Sequence, residues 1–106
     1  MAARSASSVS AANAAATITI AAVTGAICKL ARLDAFTSAG TSTLTVEDGS
    51  TTVWRSATGE IGTTRVAVTW TKPLEGNPSN AMTITASAAG SGNTVTVSAE
   101  VEQIGA

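Results

Sequence analysis

Glu100 and Glu102 are placed to share chemistry, since residues two apart on a strand present their side chains to the same side. They could form an acidic pair, although a solvated sheet face or the rim of an interface accounts for them more simply. Glu47-Asp48 beside Gly49 resembles half of a calcium loop. An oxygen cage needs several ligands at fixed offsets, and only hydroxyls follow here, so the segment reads as turn chemistry. Cys28 is the one cysteine, which excludes an internal disulfide and a cysteine-based metal site. Among aliphatic neighbours it reads as a buried, unreactive thiol. The sequence has no histidine. That removes the commonest general base and metal ligand together, and leaves the many serines with no imidazole to activate them. The expectation is a protein that is not an enzyme, with no catalytic residue, no cofactor and no metal site.

The elements that would position these groups must come from an unusually uncharged chain. Of its 106 residues only 12% are charged, about half the usual share of roughly 25%, and Ala, Ser and Thr dominate. The surface is therefore dressed with hydroxyls and methyls. A net charge of −1 with scattered cations (Arg4, Lys29, Arg32, Arg55, Arg65 and Lys72) argues against nucleic-acid binding through a basic patch. Charge this near zero also does little to keep copies of the chain apart. The length suits one domain with a single core.

Residues 1–16 are low in complexity, with Val9 as the only sizeable apolar group. Such a segment cannot bury enough surface to offset its ordering entropy, so it is expected to be a flexible or extended N-terminal arm, with residues 17–106 as the folded domain. A secretion leader is considered because Arg4 precedes the apolar stretch from Ala11 to Ile27. Asn13, Thr17, Thr19 and Thr24 dilute that stretch, which argues against both a leader and a membrane span.

From there the period is two. Thr17-Ile18-Thr19-Ile20 begins a strand that continues to about Val23. Residues 26–37 carry both helical and strand spacing, and the neighbouring strands favour a strand. That strand would place Cys28, Leu30 and Phe36 on one face and Ile27, Ala31, Leu33 and Ala35 on the other. Residues 42–56 read as a hairpin turning at Asp48-Gly49, with Val46 facing Thr51 and Leu44 facing Val53. In that register Leu44, Val46 and Val53 share a face, while Thr43, Thr45 and Trp54 take the opposite one; a longer loop would exchange the second strand's faces. Thr63 to Trp70 alternates, with Thr64, Val66, Val68 and Trp70 inward. Pro73 and Pro78 bracket a long loop that cannot join a central strand. Met82, Ile84, Ala86 and Ala88 alternate with hydroxyl residues, a turn follows at residues 90–93, and Val95, Val97, Ala99 and Val101 face inward on the last strand. Ile104 breaks that parity, which calls for a bulge or for the strand leaving the core. Seven short strands with tight turns predict an all-β fold, an antiparallel β-sandwich of jelly-roll-like or immunoglobulin-like topology.

The run Thr43-Leu44-Thr45-Val46-Glu47-Asp48-Gly49-Ser50-Thr51-Thr52-Val53-Trp54, followed by Pro73-Leu74-Glu75-Gly76-Asn77 and Met82-Thr83-Ile84-Thr85-Ala86, resembles a pattern in small structural proteins of tailed bacteriophages. The resemblance spans roughly residues 17 to 104. Pro78 lengthens the loop, and the Ala/Ser arm lies outside the shared pattern. The resemblance implies a jelly-roll-like capsid decoration, or cement, protein. It would sit on the outside of the virion as a homotrimer bound to the major capsid protein, after assembly in the host cytoplasm, with no membrane or nucleic-acid partner. The alternative is a receptor- or glycan-binding module of a virion or cell surface, of head-fibre or adhesin type, which would need an exposed aromatic platform that only Trp54 could supply. Trp54 is a candidate for either interface or core; Ile104 and Val9 are the other interface candidates.

Overall fold

The computed structural model describes residues 2–9 and 13–105. Alternation of β-branched and hydroxyl residues gives eight strands: β1 (Ala2–Val9), β2 (Ala16–Ile20), β3 (Ala26–Thr37), β4 (Leu44–Asp48), β5 (Thr51–Arg55), β6 (Val66–Glu75), β7 (Met82–Ala86) and β8 (Val95–Gly105). They form two antiparallel four-stranded sheets, ordered β1-β8-β3-β6 and β2-β7-β4-β5. The pairs β1–β8, β2–β7, β3–β6 and β4–β5 describe a chain folded in half at the β4–β5 hairpin and then rolled up. That is a jelly roll, and the immunoglobulin-like alternative is set aside by this strand order.

The inward faces bury Ile18 and Ile20 of β2, Cys28, Leu30 and Leu33 of β3, Leu44 and Val46 of β4, Met82 and Ile84 of β7, and Val95, Val97 and Val101 of β8. Each large aliphatic side chain contributes about 1.5–3 kcal/mol when it leaves water. Ile61, in the β5–β6 crossover, is fully buried too, and Ser42 and Ile61 exchange backbone hydrogen bonds of 2.8 and 3.0 Å that hold it in place.

Several expectations need correction. In the hairpin, Asp48 pairs with Thr51, so the two-residue loop is Gly49-Ser50 rather than Asp48-Gly49. Gly49 takes the positive φ of 62° that the turn requires. Glu47 then pairs with Thr52, but Val46 pairs with Trp54, so Val53 is the extra residue of a bulge. The slip, of two residues, leaves the faces as expected, and it is the bulge that carries Trp54 to the inner face beside Val46 and leaves Val53 37% exposed.

A second bulge changes β3. Leu30 pairs with Val101 and Arg32 with Glu100, leaving Ala31 unmatched. Parity therefore flips at Ala31: Cys28 and Leu30 are inward before it, Leu33 and Ala35 after it. The expected grouping of Leu33 and Ala35 with Ile27, on the face opposite Leu30, is replaced by one continuous apolar face. On the other flank Leu30 pairs with Leu74 and Arg32 with Thr69, so residues 70–73 of β6 arch past Ala31 alone.

β6 starts at Val66, not Thr63, and runs through Pro73 to Glu75. Proline is accommodated because β6 is a sheet edge, where a missing N–H costs no ladder bond. The same edge position leaves Val66, Val68 and Trp70 half-buried rather than in the centre of the core. In β8 no bulge precedes Ile104. Gln103 takes the inward position, buried, with its Nε2 donating to the Ala21 carbonyl at 2.9 Å, and Ile104 stands opposite Ile27 on the outer face.

Residues 2–9 of the expected arm lie along β8 as β1, paired from Ala2–Gln103 to Val9–Thr96. Ladder hydrogen bonds need only backbone, so a segment with Val9 as its one sizeable apolar residue can still add a strand.

Candidate functional site

The two outer faces differ in chemistry. Across the β2-β7-β4-β5 sheet, rows of directly opposed residues run Thr17, Thr85, Thr45, Arg55 and Thr19, Thr83, Glu47, Thr52. Hydroxyls dominate there. The outer face of the β1-β8-β3-β6 sheet gathers more than half of the chain's charged side chains. Direct cross-strand pairs place Lys29 beside Glu102, Arg32 beside Glu100 and Asp34 beside Ser98.

The β3 bulge shapes this face. Where Ala31 is unmatched and β6 arches away, a depression of about 230 Å³ opens, lined by Lys29, Ala31, Pro73, Glu100, Val101 and Glu102. Ala31 and Pro73 supply its apolar lining, and Glu100 and Glu102 flank them, while the Val101 side chain turns away into the core. Lys29 Nζ lies 3.6 Å from Glu75 Oε2, both partly exposed, a pair worth at most about 1 kcal/mol in water.

Next along β3, Asp34 is 7% exposed although it points to the outer face. Its Oδ2 accepts from Arg65 Nη1 at 3.2 Å and lies 3.5 Å from Arg32 Nη2. Both guanidinium-bearing side chains stay open to solvent, at 48% for Arg32 and 60% for Arg65. The Arg65 guanidinium also sits over Phe36, 5.2 Å from the ring centroid, a cation–π contact that fixes its plane. One buried carboxylate thus orients two arginines.

The sequence candidates for an interface are not brought together. Trp54 is half-buried against the core with its ring against Trp70. Ile104 lies at one end of the outer face of β8, while Val9 closes β1 opposite Thr96 near the other end; its side chain lies outside the described residues. Glu100 and Glu102 do share one face, as their spacing implied. Asp48 is not half of a calcium loop: it is buried, and its Oδ2 accepts from the Asn77 backbone N at 3.0 Å and from Asn77 Nδ2 at 2.9 Å. Among the described residues no group of three His, Cys, Asp or Glu side chains is placed to hold a metal ion. The Arg32–Asp34–Arg65 cluster escaped sequence reasoning, because Arg65 is distant in the chain and only the Arg32-x-Asp34 spacing hinted at a shared outer face.

No protein-family model matches the chain, and no curated protein does; the resemblance to phage decoration proteins gains no support there. Among solved structures, the crystal structure of the CBM36-1 domain of a multidomain xylanase from the hindgut metagenome of Trinervitermes trinervoides aligns at 14% identity and a TM-score of 0.44, covering 91% of this chain and 74% of that one.

Proposed function

We propose that this chain is a non-catalytic recognition module that binds a glycan along the outer face of β3. The observation that carries this reading is the depression at the Ala31 bulge, where apolar walls stand beside the carboxylates of Glu100 and Glu102. A sugar offers an apolar C–H surface and a rim of hydroxyl donors, so it is matched by such a floor with acceptors around it. Trp54 is not the platform in this reading, because its ring packs against Trp70. The test is isothermal titration and affinity electrophoresis against a panel of neutral and acidic polysaccharides. The wild-type chain is expected to bind a member of the panel, and Glu100→Ala with Glu102→Ala to weaken that binding without lowering the melting temperature. Absence of binding across the panel would overturn the reading.

A second reading, favoured by the hairpin resemblance and by Val53 standing 37% exposed on a free sheet edge, is decoration of a capsid exterior by a homotrimer docked on the major capsid protein. Co-sedimentation with empty capsids tests it. Recovery in the supernatant at all concentrations, with a monomer by light scattering, would count against it.

A further inference from the structure

Arg32 and Arg65 carry exposed donors that the fold does not consume. Each offers a planar fork matched to a carboxylate, and the contacts to Asp34 Oδ2 engage one terminal nitrogen of each. Asp34 is buried beneath them and Phe36 supports Arg65 from below, so the forks are oriented before any ligand arrives. That lowers the entropy lost on binding. The two arginines and Asp34 together leave one surplus positive charge. Glu100, paired across the ladder from Arg32, adds a negative neighbour that disfavours densely charged ligands such as sulfated chains. What remains suited is a single planar carboxylate attached to a neutral, hydroxyl-rich body.

We infer that Arg32 and Arg65 read the carboxylate of a uronic acid, so that the glycan bound on this face is an acidic polysaccharide with carboxylates on its sugar rings. This rests on the glycan reading above. Arg32 directly follows Ala31, which floors the depression. Asp34 lies three residues beyond Ala31, about 10 Å along a strand. One short oligosaccharide therefore spans both, with a ring against Ala31 and Pro73, hydroxyls toward Glu100 and Glu102, and a carboxylate between the arginines. Asp34 acts as a positioning residue.

The experiment titrates the whole chain with oligogalacturonate, with its methyl ester and with dextran sulfate, each at low and at physiological salt. The acid is expected to bind at least tenfold more tightly than its ester, and dextran sulfate more weakly than the acid. Arg32→Ala and Arg65→Ala should each erase most of the preference for the acid while ester binding persists. Each should still melt cooperatively, at a somewhat lower temperature because the buried Asp34 carboxylate loses a partner. Arg65→Lys, which keeps the charge and loses the fork, should lose more than half of that preference. Equal binding of acid and ester, or acid binding untouched by the arginine variants, would overturn this inference while leaving the glycan reading intact. Preferential binding of dextran sulfate would overturn it in favour of bulk charge. Failure to bind these three and every neutral polysaccharide of the panel would remove both.

Discussion

Trp54 of β5 and Trp70 of β6 meet edge to face between the two sheets, with ring centroids 5.5 Å apart and planes at 82°. β5 and β6 are edge strands of opposite sheets, so this contact joins the sandwich where no ladder does. T-shaped aromatic pairs contribute about 0.5–1.5 kcal/mol beyond their burial. A double-mutant cycle with Trp54→Ala, Trp70→Ala and the double variant, followed by urea unfolding, should return a coupling of that size. Additive losses would show that the rings do not support each other.

The core makes a sharper prediction. Leu30 and Leu33 flank the Ala31 bulge and are both fully buried. Truncating either to Ala should cost about 2–5 kcal/mol, read as a lower urea midpoint at unchanged slope. Without the bulge, one of the two would face solvent and its truncation would be nearly neutral. Similar large losses at both positions are therefore the signature of the parity flip.

That flip marks the limit of what the sequence discloses. The strands from Leu44, Met82 and Val95 follow from alternation alone: Leu44, Val46, Met82, Ile84, Ala86, Val95, Val97, Ala99 and Val101 are all buried. Alternation fails only past the end of β7, where Ala88 is exposed and Ala89 buried, and at the polar inward positions Asp48 and Gln103. Register depends on pairing partners, and alternation is silent about an unmatched residue. Ala31 and Val53 carry no local mark distinguishing a bulged residue from a paired one, so the faces of β3 and β5 were misassigned beyond them. The depression exists because of Ala31, and for that reason Glu100 and Glu102 were legible as a pair but not as the side of a site. Likewise, β1 has no apolar pattern to read, because its pairing with β8 runs through the backbone.

Cys28 is 1% exposed, with the Gln103 amide nitrogen 3.9 Å from its Sγ. Reagent access to a thiol this buried requires opening of the sandwich. A thiol-reactive dye should label native protein slowly and denatured protein fully and at once. Rapid native labelling would place Cys28 at the surface and contradict the burial of β3.

Asp48 joins the β4–β5 hairpin to the β6–β7 crossover through two hydrogen bonds to Asn77. The fit beneath it is close: a Cβ on Gly76 would stand 2.7 Å from Asp48 Oδ1. Asp48→Ala would remove both charge-assisted hydrogen bonds to Asn77, at a cost of about 1.5–3 kcal/mol. Gly76→Ala would push against the same carboxylate. Both should lower the melting temperature, and hydrogen exchange should rise at residues 76–80 before it rises in β4. An Asp48→Ala protein with wild-type stability would mean that the crossover is held by other contacts.

The final prediction concerns β1. If residues 1–9 were only an arm, a chain lacking them would melt as the full chain does. Instead β1 covers the outer edge of β8 along eight residue pairs, from Ala2–Gln103 to Val9–Thr96. Removing it would turn β8, at 11 residues tied with no longer neighbour except β3, into a free edge. A long unpaired edge flanked by Val95, Val97 and Val101 is a template for pairing between chains. The truncated chain should therefore melt at lower temperature and scatter light at concentrations where the full chain does not. Lysine substitutions at Ser98 and Thr96, which lie on the outer face of β8, should suppress that scattering without restoring the melting temperature, because added charge blocks edge-to-edge pairing but cannot replace the lost ladder. A truncated chain that melts like the full one and stays monomeric would show that β1 contributes nothing to the sheet.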